Sequence, residues 1–182
     1  MNPTSGYRLS LSTQPTAVAG EDTVLFLRTE GQATAYLPIQ DDAKTVLAGR
    51  ARIGSIIGGE ELTVPSDRLF YSGGGGSVRG YSYQSINPRL PNNRPRGGLS
   101  LFETSIEVRR DIGEKFQAVA FVDGGAIGFQ ETPNLTNMRY GAGVGVRYKL
   151  PFGPVRADIA FPLNKREGDS GFQLYLSIGQ AF

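Results

Sequence analysis

Apolar and polar residues alternate along most of this chain, in segments of about ten residues separated by turn residues. The clearest segment covers residues 139–150, and a similar one covers residues 155–161. In the first, apolar side chains take every second position: Tyr140, Ala142, Val144, Val146, Tyr148 and Leu150. Because successive side chains of a strand point to opposite faces, this pattern predicts strands with one apolar face and one polar face.

Six further segments show the same alternation, so that we predict eight strands in an all-β, antiparallel fold. The sequence contains no amphipathic helix of useful length. The eight predicted strands cover residues 7–12, 27–37, 47–53, 102–109, 117–123, 139–150, 155–161 and 172–182.

The alternation fits both a transmembrane β-barrel and a soluble antiparallel sandwich. Of the 182 residues, 39% are hydrophobic, and the mean hydropathy is -0.23. There is no run of about eighteen apolar residues that would form a transmembrane helix, but barrel strands have modest hydropathy too. Three alternate polar-face positions are glycines, Gly141, Gly143 and Gly145. Glycine weakens a strand and is easier to explain where a bulky segment packs against the wall of a barrel.

One connection breaks the rhythm, because about forty residues lie between the strand ending near Ile57 and the strand starting near Gly98, and connections beyond about 15 residues are usually functional or disordered. We treat residues 58–98 as one long loop within a single domain of residues 1–182. Its glycine run, residues 73–76, is not a phosphate-binding loop, since neither Gly-x-x-x-x-Gly-Lys nor a Gly-x-Gly-x-x-Gly that opens a helix is present.

The residue inventory argues against an enzyme. The chain has no His and no Cys, and its net charge of +2 gives no argument for a nucleic-acid partner. The carboxylates Glu103, Glu107 and Asp123 suggest glycoside chemistry, but the reading that they balance Arg on a polar face is favoured, because charges inside membrane proteins pair with one another. Residues 164–170 lack the ligand spacing of a calcium loop. We expect no catalytic residue, no cofactor and no metal.

Several ordered motifs resemble one family. Residues 78–81, Val-Arg-Gly-Tyr, resemble the loop motif of the BamA/TamA superfamily, the bacterial surface antigen family of outer-membrane assembly and translocation proteins. Residues 121–125, Phe-Val-Asp-Gly-Gly, resemble its Phe-x-Asp-x-Gly strand motif. Residues 153–158 and the last strand, which ends in an aromatic residue, resemble the translocation and assembly module branch, TamA. The resemblance spans nearly the whole chain and favours the membrane barrel.

The resemblance implies that this chain holds the C-terminal eight strands of a sixteen-strand transmembrane barrel, with the long loop folded into the lumen. It further implies a loop lock, in which the loop Arg bonds acidic residues of the barrel wall; its members here are Val78, Arg79, Gly80, Tyr81, Glu107 and Asp123. The last strand is implied to be a weak seam that opens to client strands, and Gly179 is expected to weaken its pairing. The seam residues are Phe172, Leu174, Leu176, Ile178, Gly179 and Phe182.

The implied function is protein assembly or translocation in the bacterial cell outer membrane, by insertion of β-barrel or autotransporter clients through the seam. The implied partners are outer-membrane lipid, client β-barrel proteins and a TamB-like periplasmic partner anchored in the inner membrane. Three alternatives stay open: a two-partner secretion transporter, a passive outer-membrane pore or anchor, and a soluble β-sandwich binding module.

The strand count leaves open how the barrel is completed, because eight closed strands have room only for their own side chains. The chain is a piece of a larger barrel, an eight-strand barrel with the loop outside, or one of two copies that combine their strands. We expect a piece, since the first residues show no signal peptide.

Overall fold

The computed structural model describes residues 3–20, 23–39, 44–90, 94–151 and 153–179. These residues form eight strands: β1 (Gly6–Val18), β2 (Val24–Pro38), β3 (Thr45–Ile57), β4 (Ser100–Ile112), β5 (Phe116–Gly128), β6 (Arg139–Tyr148), β7 (Val155–Pro162) and β8 (Gln173–Ile178). One short 3-10 helix, Leu135–Asn137, precedes β6. Nothing helical in the described ranges is long and apolar enough to cross a membrane.

All eight strands lie in one antiparallel sheet, in chain order, each hydrogen-bonded to the next. The predicted all-β, antiparallel fold of eight strands is thus confirmed. Strand β1 continues well beyond the predicted residues 7–12. The prediction stopped too early because polar residues such as Thr13 and Gln14 stand on both faces and interrupt the alternation. Among the described strands, β1 and β8 are the two edges, each paired on one side.

The two faces of the sheet have opposite character. On β4 the side chain of Glu107 is fully buried, whereas its neighbour Ile106 is 57% exposed. The same reversal recurs on β3, β5, β6 and β7. Large apolar residues on the exposed face of the sheet include Leu9, Leu11, Leu25, Ile53, Val122, Val144, Val146, Phe161, Leu174 and Leu176. A sheet that exposes its apolar face and buries its charged face matches the wall of a membrane barrel, in which the apolar face meets lipid. We call these the apolar face and the polar face.

The segment between β3 and β4, here called the 58–99 loop, packs on the polar face. The main apolar core lies between loop and sheet, where Phe70 of the loop meets Ile56, Leu101 and Ile127 of three strands. The loop therefore takes the place that a second sheet would take in a soluble sandwich.

The three alternate glycines of β6 are explained by close neighbours on the polar face. A Cβ on Gly141 would collide with the carbonyl oxygen of Arg79 in the 58–99 loop, as the prediction of a bulky covering segment requires. For Gly143 and Gly145 the nearest atoms belong to β7 instead. The loop thus accounts for one of the three glycines, and the tight approach of β7 accounts for the other two.

The last strand is shorter than predicted. Strand β8 covers Gln173–Ile178, and Phe172 precedes it. Gly179 leaves the strand with φ at 102°, while its N–H donates to the carbonyl of Pro154 at 2.8 Å. The predicted seam residue Phe182 lies outside the described residues.

Candidate functional site

The tip of the 58–99 loop is a compact turn formed by residues 72–86. Its two end residues are joined by a backbone hydrogen bond of 3.2 Å, and inside it the N–H of Gly74 donates to the carbonyl of Val78 at 3.1 Å. Gly73 and Gly74 have φ angles of 111° and 106°, in the left-handed region that favours glycine. The glycine run therefore builds the turn that presents the Val-Arg-Gly-Tyr motif to the polar face.

The motif residues Gly80 and Val78 pack closely against the sheet, and each contact depends on a glycine. Gly80 has φ at 99°, and a Cβ there would lie 2.9 Å from the backbone carbonyl of Phe161. Val78 is fully buried and covers Gly125, where a Cβ would lie 2.6 Å from the Val78 Cγ2 atom. The loop backbone and the wall thus approach each other too closely for larger residues at either glycine.

Arg79 lies between two carboxylates of the polar face. Its Nε and Nη2 donate to the two oxygens of Asp123 at 2.7 and 2.9 Å, and its Nη1 donates to Glu107 at 2.8 Å. Arg79 is 2% exposed, and both carboxylates are fully buried. Charge-assisted hydrogen bonds in a two-pronged arrangement are among the strongest that side chains make. The structure therefore brings together the charged residues named for the loop lock, Arg79, Glu107 and Asp123.

The register of β4 and β5 builds this acidic platform. Ser105 pairs with Asp123, and Glu107 pairs with Phe121, across the two strands. The Ser105 hydroxyl donates to Asp123 at 2.5 Å, and the Arg79 guanidinium lies 3.3 Å from the centre of the Phe121 ring. The attraction between a cation and an aromatic ring is stronger when the pair is shielded from water. Four neighbouring side chains of one hairpin thus form the seat of Arg79.

The platform belongs to a larger network of buried charges. Glu107 also accepts from Arg109 at 2.7 Å, and Arg147 links Glu107 to Asp158, to which it donates a close hydrogen bond. Asp158 lies 3.7 Å from Arg79 as a third carboxylate of the site. The alternation over residues 155–161 puts Asp158 on the polar face and Ala157 on the apolar one. From the sequence, however, Asp158 was not named as a partner of Arg79.

The charge of Arg79 is held by these partners. Burial by itself would lower the pKa of Arg79, but the hydrogen bonds and negative charge of Asp123, together with Glu107, outweigh that effect and raise the pKa above its ordinary value. The guanidinium therefore stays charged, and the site acts as a fixed electrostatic attachment and not as a proton donor.

A further carboxylate, Glu103, binds the first residues of the same turn. The hydroxyls of Ser72 and Ser77 both donate to it, the first at 2.8 Å, and Arg50 and Arg52 lie 3.5 and 3.4 Å away. The arrangement agrees with the interpretation that the acidic residues balance arginines on the polar face.

Two wall arginines also grip the glycine run from opposite strands. Arg50 of β3 donates to the carbonyls of Gly76 and Ser77 at 2.9 and 3.0 Å. Arg156 of β7 donates to the carbonyl of Gly75 at 3.0 Å. These contacts were not predicted, because a strand pattern gives the face of an arginine but not the loop backbone that it meets.

Tyr81, the last motif residue, is buried at the far side of the turn. Its hydroxyl lies 3.0 Å from the Asn164 side-chain oxygen, in the loop between β7 and β8, and 3.2 Å from the Tyr140 carbonyl. Burial raises the pKa of Tyr81. Tyr81 thus ties the motif to β6 and to the loop between β7 and β8.

The predicted seam residues lie apart from the loop lock. Among the described seam residues, four apolar side chains are exposed on the opposite face of the sheet: Phe172, Leu174, Leu176 and Ile178. The structure therefore gives these side chains a place toward lipid, with no contact to Arg79.

Known proteins are similar to this chain over most or all of its length. The whole chain, residues 1–182, matches the family described as the Omp85 superfamily domain. The outer membrane protein assembly factor BamA of Nitratidesulfovibrio vulgaris strain Hildenborough is 32% identical over 148 residues, covering 75% of this chain and 18% of that protein. BamA of Neisseria meningitidis serogroup B strain MC58 is 25% identical over 214 aligned positions, covering 99% of this chain and 26% of that protein.

A solved structure shows the same fold. The crystal structure of BamA from Haemophilus ducreyi lacking POTRA domains 1–3 superposes with a TM-score of 0.73 at 20% identity, covering 94% of this chain and 38% of that one. The chain therefore spans about a fifth to a quarter of the curated relatives that it matches.

Proposed function

This chain belongs to the Omp85 superfamily and is a protein of the bacterial outer membrane, and from that premise we propose that it is the C-terminal part of the barrel of an outer-membrane protein assembly factor. Two relatives named as such factors support the proposal. Since the chain spans only part of their length, the sixteen-strand total, the clients and the activity are all part of the proposal.

The observation that carries the proposal is the burial of Arg79 between Glu107 and Asp123. Taking charges out of water costs several kcal/mol per ion unless geometry and hydrogen bonds compensate, as a rough general magnitude. A passive pore or anchor does not need a loop bound to its wall in this way. A loop bound to the wall would stabilise the shape of the barrel while the seam between its first and last strands opens.

The proposed mechanism uses strand edges and needs no covalent catalysis, cofactor or metal. In the described sheet β8 pairs with β7 alone, and an edge strand is a template for a further strand. We take β8 as one side of a lateral seam, at which a client strand adds by backbone hydrogen bonds. The exposed apolar residues Leu174 and Leu176 keep β8 in contact with lipid during this step.

The finer assignment within the superfamily is also a proposal. The sequences of residues 153–158 and 172–182 favour the TamA-like branch, and with it autotransporter clients and a TamB-like periplasmic partner anchored in the inner membrane. The curated relatives described above carry the name BamA. Cross-linking of the full-length protein in cells, followed by identification of inner-membrane partners, separates the two branches.

The function is tested by reconstitution of the natural full-length protein into liposomes with an unfolded β-barrel client. Insertion is followed by the heat-modifiable migration of the client, and Arg79→Ala is compared with Arg68→Ala, a change to an exposed arginine of the same loop. We expect faster insertion with the unaltered protein and with Arg68→Ala than with Arg79→Ala. Insertion no faster than into empty liposomes would overturn the proposed function, and equal rates for the two variants would overturn the role of the lock.

A further inference from the structure

Strand β8 contacts the 58–99 loop chiefly through an inward side chain, Tyr175. Its hydroxyl accepts from the N–H of Gly80 at 3.0 Å and donates to the carbonyl of Tyr81 at 2.8 Å. Both partners belong to the Val-Arg-Gly-Tyr motif and directly follow Arg79 in the sequence. A single hydroxyl of the last strand thus binds the backbone on the C-terminal side of the loop lock.

The ring of Tyr175 is fitted to the same site. A Cβ on Gly75 would lie 2.9 Å from the Tyr175 ring, so that the glycine turn makes room for it. Tyr175 also packs against the apolar cluster of Val119, Phe121 and Ala160, and the guanidinium of Arg79 lies over the Phe121 ring. Tyr175 therefore contacts both the loop and the platform on which Arg79 rests.

Few other contacts fix β8 in the described structure. It is the shortest of the eight strands and pairs with β7 over Gln173–Ile178. Its apolar-face side chains are exposed. Apart from Tyr175, the described part of the strand contacts the loop through a hydrogen bond of 3.1 Å that the Gln173 side chain donates to the Ser82 hydroxyl.

We propose that Tyr175 is a positioning residue that couples β8 to the Arg79 site, so that the held loop keeps the last strand in its place beside β7. The inference rests on the proposed function, in which β8 is one side of the seam. It makes the loop lock a support of the seam strand as well as of the wall. The coupling is carried by hydrogen bonds and packing at Gly75, Gly80 and Tyr81.

The test is amide hydrogen exchange of the full-length protein in lipid nanodiscs. Tyr175→Phe keeps the ring and removes both hydrogen bonds. The matched control is Tyr148→Phe, the same change at the end of β6, where the ring packs beside Phe116 of β5. We expect exchange in residues 173–178 to be about tenfold faster in Tyr175→Phe, the effect of losing two hydrogen bonds of ordinary net strength. Exchange in β4 and β5 should stay at the level of the control. Equal exchange of β8 in the two variants would overturn the proposal.

A second comparison separates coupling from simple loss of stability. Arg79→Ala should accelerate exchange of β8 when Tyr175 is present and add little when it is combined with Tyr175→Phe. Equal acceleration in both backgrounds would show that the lock reaches β8 by another route and would overturn the proposal. Client insertion, measured on the same samples, reports on the proposed function separately, since exchange decides the coupling even where no client is inserted.

Discussion

One carboxylate oxygen of Asp123 accepts hydrogen bonds from both the backbone N–H and the Nε atom of Arg79, at 3.0 and 2.7 Å. The same side chain thus fixes where the loop backbone lies and which way the guanidinium points. A charge alone does not reproduce this, because the contact needs a planar group with several donors in fixed directions.

Arg79→Lys therefore tests geometry against charge. The lysine keeps the positive charge but loses the two-pronged contact with Asp123, and we expect the free energy of unfolding to fall by about 1.5–3 kcal/mol. Arg68→Lys, at an exposed position of the same loop, should change it by less than about 0.5 kcal/mol. Urea titration followed by heat-modifiable migration measures both; equal stability of the two variants would show that charge suffices.

Asp123→Asn leaves the Arg79 guanidinium buried with one of its two bonded carboxylates neutralised. We expect a loss of about 3–5 kcal/mol in unfolding free energy, as for other broken buried pairs. The control is Asp111→Asn, since the ion pair of Asp111 with Lys149 is part exposed and should contribute less than about 1 kcal/mol. A loss at Asp123 no greater than that at Asp111 contradicts a buried, closely bonded site.

Gly141→Ala should lift the loop tip from the wall. Its added methyl group meets the carbonyl oxygen of Arg79, and backbone on both sides leaves little room for adjustment. We expect trypsin to cleave within the 58–99 loop several-fold faster than in Gly171→Ala, whose added methyl group meets no atom within 4 Å. Unchanged cleavage would mean that the loop tip does not rest on β6 in the membrane.

Val144→Arg tests which face of the sheet meets lipid. Val144 lies in the middle of β6 and is 55% exposed, so that arginine would be harmless there in a soluble protein. In a bilayer it should cost about 2–4 kcal/mol of unfolding free energy. Leu163→Arg, at an exposed position just after β7, should cost much less, and equal costs would place the apolar face away from the hydrocarbon core.

The fold was readable from sequence wherever each face kept one character. Residues 139–150 show this, because lipid requires apolar side chains on one face while arginine and glycine stand on the other. The second half of β1 was missed because polar residues such as Thr13 and Gln14 stand on both of its faces. Within the described residues β8 ends at Ile178, because the backbone turns at Gly179, a feature that alternation does not register.

The site was readable only in part. Motif position and face together named Glu107 and Asp123, and the structure places both on Arg79. The contacts of Asp158 and Tyr175 could not be foreseen, because a strand pattern gives the face of a side chain and not the part of a long loop that will cover it. Loop contacts depend on the path of residues 58–99, which lies outside any periodic pattern.

The central claim, that the loop held on the wall is the state that inserts clients, is tested most directly by a disulfide that replaces the lock. A Cβ on Gly125 would meet the Cγ2 atom of Val78, and Val78→Cys removes that atom and puts a sulfur within reach of a second cysteine, so that the pair can bridge loop and wall. This chain has no cysteine of its own. Val78→Cys with Gly125→Cys, placed in the Arg79→Ala protein, should restore client insertion when oxidised and lose it again on reduction. Insertion that stays low in the oxidised protein, or that is blocked by the same disulfide when Arg79 is intact, would contradict the account.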